Sequence, residues 1–213
     1  MSKRIHERLL EKSKNKHKYI YRIFTKNGVV YLKKSNRDLF EYMFNLICSQ
    51  QLSTKAAKNI WNKVEDLALN KRISLLQLCD PNFYEDIKSC GLSKNKMRAI
   101  SLLKIAFEKK QISKKMLSKM NEIEMGENIQ KLWGFGPWSA DMVAMFYFGK
   151  SNIWADGDLI LNRIIRQISL HEKVKYEELI KHYEPYKSYL ALHIWKANNS
   201  GQKKKKMLLE NLY

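Results

Sequence analysis

Apolar side chains return at helical spacing in several stretches: Leu39, Met43, Leu46 and Ile47; Ala56, Ala57, Ile60, Trp61, Val64 and Leu67; Ile100, Leu103, Ala106 and Phe107; Ile160, Leu161, Ile164, Ile165 and Ile168. Steps of three and four residues put each set on one helix face, so the pattern predicts a fold dominated by helices. One stretch reads differently. Tyr19 to Leu32 is rich in Tyr, Ile, Phe and Val and is centred on Asn27-Gly28, a type I′ turn dipeptide, which predicts a short N-terminal β-hairpin. Gly (8) and Pro (3) are scarce and no Ser/Gly/Pro-rich linker interrupts the middle of the chain. The expected organisation is one compact domain over 1–213, with its core at about 38–199, a basic segment at 1–37 and a basic tail at 200–213.

Composition narrows the function. With 213 residues, 45% of them hydrophobic, the chain can fill a sizeable core. Lys and Arg number 40 against 21 Asp and Glu, a net charge of +19, far beyond what solubility needs, which points to a polyanionic partner. Eleven of the cations fall within residues 1–36, against only Glu7 and Glu11, and a second block is Lys203 to Lys206. Each block reads either as solvated surface or mobile tail, or as a phosphate-tracking segment. Cys48, Cys79 and Cys90 have no C-x-x-C spacing, which argues against a disulfide framework and against a cysteine-rich zinc or iron–sulfur site. Charge breaks the N-terminus before any apolar run, so neither a signal peptide nor a membrane span is expected. The compartment expected is cytoplasmic and nucleoid-associated, or nuclear in a eukaryote.

The most informative stretch is Ile129 to Phe146. A helix-compatible run meets Gly134-Phe135-Gly136, and Pro137 then stands where a new helix takes its first residue, a place that suits its fixed φ and missing N–H. Helix, tight hairpin and helix follow. Glycines at both ends of so short a turn let its backbone approach another chain, and the new helix offers unpaired N–H groups to a phosphate. The plain alternative is a helix-to-helix turn. Further on, Asp158 precedes an apolar helical run in Trp154-Ala155-Asp156-Gly157-Asp158-Leu159. It reads either as an N-cap or as a carboxylate kept ionised in a partly dry pocket, where it can stabilise positive charge developing on a sugar.

These segments, with Tyr186 to Trp195, Ile47 to Ala57 and Gly91 to Lys96, occur in an order that resembles the 3-methyladenine DNA glycosylase II branch of the helix-hairpin-helix DNA glycosylases. The resemblance implies an all-α, two-lobed helical fold with a cleft between the lobes. It implies an enzyme that turns damaged bases out of double-stranded DNA without a cofactor, and a monomer is expected because an asymmetric lesion site needs no two-fold reader. By the same resemblance Asp158 is the catalytic aspartate, and Gly134, Phe135 and Gly136 form the hairpin that grips a phosphate. Hairpin carbonyls in this superfamily can also hold a structural monovalent cation. Trp138 and Trp195 match aromatic positions bordering the base pocket; the alternative for each is core packing. Leu52 is the wedge into the gap left by the extruded nucleotide, with Gln51 and Ser53 beside it. Some members carry His where this chain has Ser53. Arg163 reads as a structural ion-pair partner, His193 as a satisfied buried histidine, and Asp141 and Asp156 as lesser candidates for the carboxylate.

Departures from the family refine the expectation. Lyase-competent relatives carry a lysine where this chain has Trp138, so no amine stands there to form a Schiff base. Iron–sulfur relatives have four cysteines near the C-terminus, whereas none follows Cys90 here, and residues 1–37 cannot supply the β-rich domain of the two-domain members. The expectation is a monofunctional glycosylase for 3-methyladenine, 7-methylguanine and other damaged purines. Its alternatives are a helix-hairpin-helix module that binds DNA without catalysis, or a glycosylase for another damaged base, including a bifunctional one.

Overall fold

The computed structural model describes residues 2–203, with side chains through residue 200. Apart from the backbone of Lys203, the Lys203–Lys206 run and the tail after it lie outside the described residues. Among the described residues the regular structure is helical throughout, without a strand: α1 (Ser2–Lys14), α2 (Lys18–Asn27), α3 (Leu39–Ser49), α4 (Thr54–Lys71), α5 (Leu75–Leu78), α6 (Tyr84–Ser89), α7 (Lys94–Glu108), α8 (Lys114–Leu117), α9 (Glu122–Gln130), α10 (Pro137–Phe146), α11 (Leu159–Glu172), α12 (Tyr176–His182) and α13 (Lys187–Lys203). The all-α expectation holds. The chain forms two compact units, one from the residues up to Lys34 with those from Ala144 on, the other Ser35–Val143. One boundary is the Lys34–Ser35 bond and the other falls inside α10, so neither carries the linker composition that would reveal it.

In the unit Ser35–Val143, α3 buries Leu39, Phe40, Met43, Phe44, Leu46, Ile47 and Cys48. Phe40 meets Phe107 at 5.3 Å and Phe44 meets Trp61 at 5.6 Å, both edge-on, the geometry that ring quadrupoles favour. Helix starts are closed by side chains: Asp38 accepts the Glu41 N–H at 2.8 Å, and Asn121 and Glu124 form a reciprocal capping box on α9. Each cap satisfies an N–H that the helix itself leaves without a partner.

In the other unit, Tyr183 is fully buried, with the Phe24 ring edge-on to it at 5.6 Å and His17 Nδ1 2.8 Å from its hydroxyl. The expected hairpin at Tyr19 to Leu32 is corrected: Lys18–Asn27 is helix α2. Ile20, Ile23 and Phe24 are buried on one face at helical spacing, and burial of that face outweighs the strand preference of aromatic and β-branched residues. Gly28, at φ +60°, donates its N–H to Phe24 O at 3.0 Å, so the Asn-Gly pair stops a helix instead of turning a hairpin. Nor are residues 2–27 a mobile tail. Lys12 Nζ donates to His182 O at 2.8 Å and Arg8 to the Tyr186 hydroxyl at 2.6 Å, so part of the N-terminal charge is spent inside its own unit.

Candidate functional site

The glycine-rich turn follows α9 directly. Leu132 N–H donates to Ile129 O at 3.0 Å and Phe135 N–H to Leu132 O at 3.1 Å, while the Phe135 side chain is buried and anchors the turn. Gly134 sits at φ +88°, and a Cβ there would lie 2.8 Å from Ala99 Cβ on α7, so both conformation and space demand glycine. Gly136 differs: a Cβ built on it meets nothing within 4 Å. Pro137 is the first residue of α10, and Gly136 O accepts the Ala140 N–H at 3.1 Å.

Gln50 ties this turn to the loop after α3. Its Nε2 donates to Gly134 O at 2.8 Å and to Ser139 Oγ at 3.0 Å. Gln51 is exposed at φ +56°, a left-handed conformation uncommon outside glycine, and Leu52 is 41% exposed. Ser53 is the N-cap of α4, its hydroxyl accepting the Ala56 N–H at 3.3 Å. Lys96, from the Gly91–Lys96 motif, donates to Cys48 O at 2.8 Å and so closes the C-terminal turn of α3; burial lowers its pKa. Within the unit Ser35–Val143 the structure therefore brings Gly134, Phe135, Gly136, Gln51, Leu52 and Ser53 together, with Gln50 as the connection.

Two exposed residues extend the same surface. Trp133, 39% exposed, precedes Gly134, and the Arg98 guanidinium lies 4.5 Å from its ring centroid, a cation–π distance. For the monovalent cation that the resemblance implies, the Leu132 and Gly134 carbonyls are neutral oxygen donors; each accepts one N–H and has a second lone pair, so the donor set fits such an ion. Trp138 is half-buried on the first turn of α10.

The carboxylate loop belongs to the other unit. Asp158 is half-buried and is the N-cap of α11, Oδ1 accepting the Leu161 N–H at 2.8 Å, while its own N–H donates to Ala155 O at 2.9 Å. The cap sets the carboxylate at the positive end of the helix dipole. The capping alternative is therefore realised in the structure, and it is compatible with a chemical role. Asp156 is exposed, with Oδ1 2.9 Å from the Tyr176 hydroxyl. Ser188 anchors the segment leading into this loop, donating to Lys150 O at 2.8 Å and accepting from Ile153 N–H at 3.0 Å. Trp195 on α13 is half-buried, its ring 6.1 Å from that of Phe146.

The other candidate residues find plain roles. His193 is fully buried but only half satisfied, which corrects the expectation: Nδ1 lies 3.2 Å from Asn27 Nδ2, whereas Nε2 has no hydrogen-bond partner among the described residues. Desolvation, then the neighbouring His6 and Lys196, lowers its pKa to about 3, so it stays neutral. Arg163 is exposed, and no ion pair to it occurs among the described residues. The ion-pair expectation for Arg163 is thus not met, and on the same helix Arg166 lies over the Tyr176 ring. Cys48 and Cys79 are buried thiols whose pKa desolvation pushes up to about 12. Among the described residues no three His, Cys, Asp or Glu side chains converge as metal ligands, and no helix is long and apolar enough to cross a membrane. Gln50, Arg98, Trp133 and Tyr176 were not singled out from sequence; only Gln50, beside Gln51, carried a local signal.

A family model described as HhH-GPD superfamily base excision DNA repair protein matches residues 44–187. The alkylbase DNA glycosidase-like protein mag2 of Schizosaccharomyces pombe is 30% identical over 172 residues, covering 76% of this chain and 81% of that protein. A DNA-3-methyladenine glycosylase of Saccharomyces cerevisiae is 32% identical over 146 residues, covering 63% and 49%. In structure, the chain resembles the S. pombe 3-methyladenine DNA glycosylase in complex with abasic DNA, with a TM-score of 0.76 at 18% identity over 90% of this chain and 97% of that one. It also resembles the DNA-3-methyladenine glycosidase of Bacillus halodurans, with a TM-score of 0.74 at 22% identity over 97% and 95%. Those two likenesses show a shared fold.

Proposed function

The chain belongs to the HhH-GPD superfamily of base excision DNA repair proteins, with distant homology to 3-methyladenine DNA glycosylases, and from that premise we propose that it hydrolyses the N-glycosidic bond of alkylated purines in duplex DNA and leaves the strand uncut. The observation that carries the reading is Asp158, a half-buried carboxylate at the N-terminus of α11, in a chain that also presents the Gly134–Gly136 turn.

A base within the duplex stack is out of a carboxylate's reach, so the nucleotide is turned out at a cost of a few kcal/mol, least where damage has already weakened pairing. The exposed backbone at Gly134 and Gly136 and the α10 N-terminus take up a phosphate beside the lesion. Leu52 fills the gap left in the stack. A monovalent cation on the Leu132 and Gly134 carbonyls would add positive charge beside that phosphate. Methylation at purine N3 or N7 makes the base cationic, so it leaves as a neutral group once the glycosidic electron pair moves to it, and it needs little help from a general acid. Asp158 then stabilises the oxocarbenium-like sugar or orients the attacking water. By the resemblance, Trp138 and Trp195 are aromatic residues of the base site, and an aromatic face prefers a cationic purine over a neutral base by about 0.5–2 kcal/mol through cation–π attraction. Trp138 also stands where lyase-competent relatives have lysine, which supports hydrolysis without strand cleavage.

Methylated duplex DNA tests the reading. The expected result is release of 3-methyladenine and 7-methylguanine, with strand breaks appearing only after alkaline treatment. Breaks without alkali would make the protein a lyase as well. Tight, salt-sensitive binding with no base released from any damaged duplex would make it a binding module.

A further inference from the structure

Tyr176, the first residue of α12, lies at the centre of a polar network that the chemistry above leaves unused. Its hydroxyl is 2.9 Å from Asp156 Oδ1 and 2.6 Å from Asn162 Oδ1, and it accepts the Trp154 indole N–H at 3.3 Å. The single hydroxyl proton serves either acceptor. Asn162 donates its side-chain amide to the Asp156 carbonyl, and the Arg166 guanidinium covers the Tyr176 ring at 4.3 Å. Burial pushes the phenol above its ordinary pKa, so the group remains a donor.

The placement of these partners brackets Asp158. Trp154 and Asp156 precede it, and Asn162 and Arg166 lie one and two turns beyond it on α11. The direction of the Asp158 carboxylate is set by its own cap bond together with the placement of the segments on either side of it. The Asp158 cap bond fixes the residue to α11. Tyr176 fixes α11 to the incoming loop.

We propose that Tyr176 is a positioning residue, its hydroxyl holding the loop that aims the Asp158 carboxylate at the sugar of the extruded nucleotide. The inference rests on the reading of Asp158 as the reacting carboxylate of a glycosylase. Orientation within a built site is steep in its effect on rate, and a displacement of about 1 Å is enough to cost 10²-fold.

The test is single-turnover base release from methylated duplex, with affinity for an abasic-site duplex and melting temperature measured on the same proteins. Tyr176→Phe keeps the ring and the Arg166 contact and loses only the hydroxyl. Its rate should fall about 10- to 100-fold, with affinity unchanged to within about twofold. Asp156→Ala, which removes one of the two acceptors of that hydroxyl, should lower the rate by less than Tyr176→Phe does, again without loss of affinity. Wild-type rate in Tyr176→Phe beside an inactive Asp158→Asn overturns the positioning role and leaves the carboxylate reading intact. A joint fall of rate, affinity and melting temperature in Tyr176→Phe also overturns it, as a structural effect. Loss of activity in Asp156→Ala overturns it by making Asp156 the reacting group. Full activity in Asp158→Asn overturns the reading beneath it.

Discussion

Gly134 and Gly136 belong to one short motif, yet the structure assigns them different reasons for being glycine, and substituting each with alanine separates the two. At Gly134 the backbone is at φ +88°, and a Cβ would lie 2.8 Å from Ala99 Cβ, well inside contact distance. Holding a non-glycine residue at such a φ costs about 1–3 kcal/mol, and forcing an extra carbon into a packed contact costs about 1–3 kcal/mol more. Gly134→Ala should thus lose roughly 2–6 kcal/mol and melt at least about 4 °C lower. At Gly136 the backbone lies outside the left-handed region and the added Cβ meets nothing. Gly136→Ala should be neutral, or stabilising by about 0.4–1 kcal/mol through the unfolded chain. If the open space at Gly136 is where a DNA backbone approaches, the same variant loses affinity for duplex DNA, by about tenfold, or 1.4 kcal/mol. The assay is thermal melting and DNA titration of both variants, with Ala99→Gly added to Gly134→Ala to remove the clash and leave the φ cost. Equal destabilisation by the two alanines, or wild-type DNA affinity in Gly136→Ala, would overturn this assignment.

Charge and protonation supply further tests. Arg98→Gln should weaken DNA binding across sequences and lower the slope of log affinity against log salt by about one, because the guanidinium over Trp133 stands beside the hairpin; an unchanged slope would remove Arg98 from the interface. Burial, followed by the neighbouring charges, holds His17 at about 4 and His193 at about 3, so both are neutral when folded and bind protons more readily when unfolded. The stability they contribute is complete above about pH 6.5 and drains away as pH falls through the window toward 4. Melting temperature should drop on going from pH 7.5 to 5, and a flat profile would contradict the buried neutral histidines. Asp158→Ala should cost about 1 kcal/mol of stability through loss of the α11 cap, whereas Asp158→Asn, an equally good cap, should cost little; thermal melting of the two variants side by side checks the difference.

What could be read ahead of the structure follows from how local each signal is. Apolar spacing located α3, α4, α7 and α11, because a helix buries a face defined by neighbours three and four residues away. Pro137 after Gly136 marked the start of α10, and Asp158 before an apolar run marked the start of α11, again through rules that act within a turn. Asn27-Gly28 misled because the same dipeptide supplies positive φ to a hairpin and to a helix end, and burial of Ile20, Ile23 and Phe24 decided between them. Residues linked across long separations were invisible. Tyr176 meets Asp156 and Trp154 only after α11 has turned the chain back, and Arg98 reaches Trp133 only because α7 packs beneath the hairpin, with Ala99 against Gly134. The bounds of the two units depend on contacts of the same long-range kind, since one unit is assembled from both ends of the chain.

Asp158 is proposed to do chemistry in addition to closing a helix, and Asp158→Asn separates those roles, since asparagine keeps the cap and removes the charge. Single-turnover release of methylated purines by this variant should fall by about 10²-fold or more, the loss expected when one electrostatic contact to the transition state is removed, with DNA affinity and melting temperature close to wild type. Release at the wild-type rate would leave Asp158 a helix cap and place the reacting group elsewhere.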